Sequence, residues 1–94
     1  MNFCRGSAKE NNTDTRVAAI SIIVENPESV EKLNALLHEA GKYIIGRMGV
    51  PYREKNISII MIAINAPQDY ISEITGKIGR LDGVNVKTSY ANVK

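Results

Sequence analysis

The chain has 94 residues, with twelve Lys and Arg against ten Asp and Glu for a formal charge of +2, one cysteine, one histidine and no tryptophan. That is one domain, and as a lone copy it would bury only about 60 to 65% of the surface its unfolded chain exposes, so its stability is marginal. Interspersed charges exclude a nucleic-acid footprint, scarce aromatics exclude base-stacking platforms, and one Cys with one His excludes an internal disulfide or a metal site within one subunit.

Residues 1–15, MNFCRGSAKENNTDT, are polar and charged, with Phe3 the only large apolar side chain after Met1. They read as a loosely held arm ahead of a domain spanning residues 16–94. Cys4 has no partner in the sequence for ligation or internal oxidation, which leaves a bystander or a thiol that pairs between subunits. Residues 16–24, RVAAISIIV, form a first strand. Ala18, Ile20, Ile22 and Val24 share one side and Val17, Ala19, Ser21 and Ile23 the other, so neither face is polar.

Asn26 offers a capping oxygen, Pro27 suits a first helical position, and Glu28 puts negative charge at the helix start. Val30, Leu33, Leu37 and Ala40 recur at helical spacing as a buried stripe with Leu36 at its flank, and Gly41 is expected to end the helix as a left-handed cap. His38 lies off that stripe. It reads as a solvated helix residue, since as a metal ligand it would need partners from another subunit.

Residues 43–64, YIIGRMGVPYREKNISIIMIAI, are two apolar runs divided by the breaker-rich segment 51–56, the signature of an antiparallel hairpin. We expect this hairpin in the middle of the sheet. In its first strand Tyr43, Ile45, Arg47 and Gly49 alternate with Ile44, Gly46, Met48 and Val50. In its second, Ile57, Ile59, Met61 and Ala63 point one way and Ile60, Ile62 and Ile64 the other. Both faces of that strand need cover, and a domain this small supplies helices for one only. The second face is therefore assigned to another copy, as a homodimer or homotetramer through the sheet. The apolar run 57–66 is about half a membrane span and no apolar signal core precedes the domain, so the expected location is the cytoplasm, with no membrane partner.

Gly46 and Gly49 are costly inside a strand, and each marks a bulge or a close backbone approach. Between them Arg47 has two readings: a bidentate holder of a carboxylate or phosphate effector, with the glycines making room, or an ion pair with Glu54 or a neighbouring subunit. Tyr52 and Arg53, in the connection, are candidates for a protein-partner contact or simply a solvated loop.

Pro67, Gln68 and Asp69 start a second helix, with Asn65 or Ala66 expected as its cap, and Ile71, Ile74, Ile78 and Leu81 as its buried stripe. Gly76 and Gly79 interrupt it, through close backbone contacts or a loosened end. Asp82-Gly83 turns the chain into a last strand, residues 84–91, with Val84, Val86 and Tyr90 inward and Asn85, Lys87 and Ser89 outward, the pattern of an edge. Strand, helix, strand, strand, helix, strand is the α+β ferredoxin-like sandwich, four antiparallel strands with two helices on one face. No phosphate loop, nucleophile elbow or paired carboxylates accompany it, and neither His38 nor Cys4 has an orienting partner, so an enzyme is not expected.

The contiguous block 43–55, with IVE at 23–25, ESVEK at 28–32, LHE at 37–39, ISII at 57–60, TGKIGR at 75–80 and Gly83-Val84, resembles the family called iron-only hydrogenase system regulators. The resemblance runs from Arg16 to the end. It implies a ferredoxin-like domain related to ACT domains and to the C-terminal domain of the nickel-responsive repressor, assembled through its sheets and regulatory in role. The several histidines of that repressor are missing and the first strand-to-helix corner reads Glu25-Asn26-Pro27 rather than glycine, so neither nickel nor an amino-acid effector carries over. No cofactor is implied. No ribbon-helix-helix segment is present, so direct nucleic-acid contact is not implied either. The expected function is a non-enzymatic regulator, homo-oligomeric, with a small effector at the interface near Gly46, Arg47 and Gly49. The alternative is an adaptor that contacts hydrogenase maturation proteins through Tyr52 and Arg53.

Overall fold

The computed structural model describes residues 15–92, so residues 1–14 of the N-terminal arm, with Cys4, lie outside them. The β-branched runs become four strands: β1 (Thr15–Val24), β2 (Ile44–Tyr52), β3 (Ile57–Pro67) and β4 (Val84–Tyr90). They pair antiparallel in the order β2-β3-β1-β4. Two helices, α1 (Val30–Glu39) and α2 (Gln68–Gly79), cover one face, giving the expected four-stranded antiparallel α+β sandwich. The core runs between them: Ala18, Ile20, Ile22 and Val24 of β1 and Ile60, Ile62, Ile64 and Ala66 of β3 meet Leu33 and Leu37 of α1 and Ile71, Ile74 and Ile78 of α2.

The hairpin is not the middle of the sheet. Its second strand β3 is central beside β1, whereas β2 is an edge. The reason lies in β2 itself, since Pro51 cannot donate to a second ladder and a bulge between Ile44 and Gly46 disrupts the pairing that a central strand needs. The strand also continues through Pro51 and Tyr52, which pair with Ser58 and Ile57, so the connection is shorter than expected, residues 53–56. It closes with Asn56 in the left-handed region, φ 57°, and the Asn56 amide donating to Arg53 carbonyl oxygen.

Asn26 caps the first helical turn as its side chain predicts, its Oδ1 accepting from the Glu28 amide at 3.0 Å. That turn, Pro27–Ser29, is a 3-10 segment that feeds α1. Gly41 is not a left-handed cap. After Ala40 the chain tightens into a 3-10 turn, Gly41–Tyr43, and the Tyr43 amide donates to Ala40 carbonyl oxygen at 2.9 Å, which disposes of an orphan carbonyl without a positive φ. Neither Asn65 nor Ala66 caps α2, because β3 runs on to Pro67 and the helix starts there with no side-chain cap.

The corner between β1 and α1 is knitted to the turn before β4. Gly83 has φ 68°, and a Cβ on it would stand 2.7 Å from Asn26 Cβ, so only glycine fits. Around it the Glu25 amide donates to Gly83 carbonyl oxygen (2.6 Å), Asn26 Nδ2 to Asp82 Oδ2 (2.7 Å) and Ser29 Oγ to Asp82 carbonyl oxygen (2.6 Å). Ser29 is buried, and this bond satisfies it. Of the two glycines in α2, Gly79 lies close to the sheet, its would-be Cβ 3.3 Å from Val86 Cγ1; Gly76 has no such neighbour.

Candidate functional site

Strand alternation puts Val17, Ala19, Ser21 and Ile23 of β1 and Ile57, Ile59, Met61 and Ala63 of β3 on the face away from the helices. The bulge brings β2 into step with them: Gly46 pairs with Ala63, Met48 with Met61, Val50 with Ile59 and Tyr52 with Ile57. Seven large apolar side chains are exposed among the described residues. By register, six of them, Val17, Ile23, Met48, Val50, Tyr52 and Met61, are on this one face, and the seventh, Ile45, is the extra residue of the bulge. The three strands β2, β3 and β1 make an apolar field about 14 Å wide and about 26 Å long, roughly 370 Å² in projection. Its size is that of the largest apolar patch on an ordinary monomer, about 300 to 600 Å², and such patches are often functional. Lys87 and Asn85 of β4, paired with Ser21 and Ile23, give it a polar rim on one side.

The field is not flat. A groove of about 500 Å³ crosses it, lined by the small residues Ala19, Ser21, Gly46, Ala63 and Ser89, with Met48 and Met61 standing beside them. Its chemistry is apolar, with the Ser21 and Ser89 hydroxyls as its polar groups. No Asp, Glu, His, Cys or Lys is among the residues that line it. An apolar groove with a few polar groups is the kind of surface that binds a ligand or a partner.

The three residues singled out around Arg47 do not share a face. Gly46 opens onto the groove, with nothing within 4 Å of a would-be Cβ. Arg47 and Gly49 pair with Ile62 and Ile60 and therefore lie on the helix side. The pre-bulge alternation places Ile44 with Gly46, Met48 and Val50; in the structure Ile44 pairs with Ile64 and joins the helix side as well, because the bulge adds one residue and inverts the phase. The Arg47 main chain lines the groove, whereas its Nη2 donates to Asn34 Oδ1 on α1 at 3.3 Å. Among the described residues of this subunit its partner is thus a neutral amide and not Glu54. Gly49 has only an ordinary contact, 3.8 Å to Ile60 Cγ1. Of the two glycines, the one at the bulge was the legible signal.

Tyr52 and Arg53 lie at the end of the hairpin beside a small notch of about 120 Å³, which Val24, Pro27 and Val30 also line. The Tyr52 hydroxyl donates to Glu54 Oε1 at 2.7 Å, and this bond to a carboxylate pushes the phenol's pKa up. His38 is exposed on α1. Among the described residues no group of three or more His, Cys, Asp or Glu is arranged to hold a metal, and no helix is long and apolar enough to cross a membrane.

Two clusters escaped the sequence reading because their members are far apart in the chain. Tyr43 and Tyr70 stack with centroids 4.6 Å apart, and burial, then Glu39, Tyr43 and Glu73, pushes the Tyr70 pKa up. At the other end Arg16 donates to Gln68 Oε1 (2.8 Å), Gln68 Nε2 donates to the Tyr90 hydroxyl (2.8 Å), and the Arg16 guanidinium covers the Tyr90 ring at 4.7 Å. The first joins the 3-10 turn after α1 to α2, and the second clamps α2 to β1 and β4. Neither encloses a site.

Comparison with known proteins adds three findings. A family profile described as "TM1266-like: Iron-only hydrogenase system regulator, putative" matches residues 16–88. The structure of the uncharacterized protein TM1266 from Thermotoga maritima superimposes with a TM-score of 0.81 at 32% identity, covering 84% of this chain and 100% of that one. A formyltetrahydrofolate deformylase from Pseudomonas putida KT2440 shares the fold alone, at 11% identity and a TM-score of 0.61, over 83% of this chain and 30% of that enzyme. No curated protein matches the sequence.

Proposed function

Because the chain belongs to the TM1266-like family of iron-only hydrogenase system regulators, we propose that it is a cytoplasmic regulatory protein without catalysis of its own, and that it works as a homo-oligomer. One observation carries the assembly: the exposed large apolar residues gather on the face that no helix covers. A second copy is the natural cover, since the same field on each copy is self-complementary about a two-fold axis, with its polar rim left at the border. The edges are poorer candidates. β2 carries a bulge and Pro51, and β4 carries Lys87, the devices that discourage strand addition. A small effector fits the same reading in the groove between the two faces, against Gly46 and the main chain of Arg47. The Arg47 side chain and Gly49, on the far side of the strand, take no part.

Sedimentation over a range of concentrations tests the assembly, and a chain that stays a single subunit at high concentration sinks it. Deletion in a host with an iron-only hydrogenase tests the role: the amount or activity of that enzyme is expected to change, and no change under any growth condition removes the regulatory reading. The exposed Tyr52 beside its notch favours a second reading, an adaptor for a maturation protein. That reading expects a specific pull-down partner that Tyr52→Ala loses.

A further inference from the structure

We propose that Met48 and Met61 make the open face peroxide-sensitive: oxidation of the two thioethers in the free subunit stops it from pairing with a second copy. The proposal rests on self-association through this face. The two residues stand directly opposite each other on β2 and β3, and they are 56% and 48% exposed. They are the only methionines after Met1. Met61 is also out of character for its strand. Isoleucine fills five positions of β3, and β-branched residues suit a strand better than an unbranched thioether does. An isoleucine there would bury similar apolar area, so what methionine adds is a flexible, polarizable and oxidisable sulfur.

The chemistry needs only a hydroperoxide. A sulfur lone pair attacks the OH oxygen of the peroxide, the O–O bond breaks, and the sulfur is oxidised by two electrons to the sulfoxide. The proton of that OH passes to the other oxygen, which leaves as water from hydrogen peroxide or as an alcohol from an organic hydroperoxide. Pairing of two oxidised faces would then press four sulfoxide dipoles into a largely apolar contact, where the Ser21 and Ser89 hydroxyls are the side-chain donors lining the groove. In the paired state the same sulfurs are covered. The free subunit is therefore the reactive species, and oxidation traps it.

The test uses the full-length chain with Cys4→Ser, so that the thiol is not a target. Hydrogen peroxide is expected to add one oxygen at each of Met48 and Met61 and to raise the oligomer's dissociation constant about tenfold or more in sedimentation. Sulfoxide reductases are expected to restore it. Oxidation of the two sites, timed against free methionine in the same tube, slows as protein concentration rises. The Met48→Leu/Met61→Leu variant keeps apolar area and volume, and is expected to assemble normally and ignore peroxide. An untreated chain that is already monomeric overturns the assembly reading and this proposal with it. An oligomer that survives oxidation at both sites, or a double-leucine variant that dissociates in peroxide, overturns this proposal alone.

Discussion

Strand β3 carries two sets of apolar side chains with opposite fates. Ile60, Ile62 and Ile64 are buried beneath the helices, while Ile59, Met61 and Ala63, their immediate neighbours in the chain, look out from the other side. Composition does not separate them; the presence or absence of a covering layer does. An apolar side chain thus stabilises the subunit only where the subunit itself brings something to pack against it. On the open face the same chemistry is left without a covering layer within the subunit.

The contrast is broken most directly from the covered side. Ile22 is fully buried, and Ile22→Ala leaves a cavity expected to cost about 2 to 5 kcal/mol, enough to unfold much of a domain this small. Ile23→Ala, one residue along on the open face, is expected to change subunit stability by less than about 1 kcal/mol. Denaturant titration of both at low concentration compares the faces, and equal losses would erase the distinction. Next comes the corner that closes the covered side. Gly83→Ala would set a Cβ against Asn26 in a left-handed conformation, at an expected cost of about 1 to 3 kcal/mol in the same titration. A neutral result would mean that this corner does not hold the layer.

The open side is probed by Met61→Glu. Its effect on subunit stability is expected to stay within about 0.5 kcal/mol, as for an exposed position, while sedimentation shows the oligomer gone. A smaller effect tests the helix layer by pH. Tyr70 has its pKa raised, first by burial and then by Glu39, Tyr43 and Glu73, so the folded state holds that proton more tightly than the unfolded chain. The stability tied to it is complete below the ordinary value of 10.0 and falls as pH climbs above it. Tyr70→Phe keeps the ring on Tyr43 and is expected to flatten that part of the stability curve.

Much of the covered layer was legible. Helical spacing identified Leu33, Leu37, Ile71, Ile74 and Ile78, and alternation grouped Ala18, Ile20, Ile22 and Val24 on one side of β1 without telling which side the helices cover, because each signal lies within a few residues of chain. The candidate site was only half legible. The two-sided greasiness of β1 and β3 predicted an uncovered face, and Gly46 marked a bulge. Yet Arg47, grouped with both glycines, turned out to face α1 and bond Asn34, because one extra residue before it reverses the side on which every later residue of β2 sits. Gly41 read as a helix cap for want of knowing that Ala40 and Tyr43 would close a tighter turn.

Residue order alone set the succession of strands and helices and the inner stripe of each helix, since periodicity is a property of neighbours along the chain. Which strands became edges, that Met48 would face Met61, and that Gly83 would meet Asn26 were decided by pairing between segments far apart in sequence. Such pairings depend on register and on the bulge, and register is settled only when the whole sheet closes over its helices.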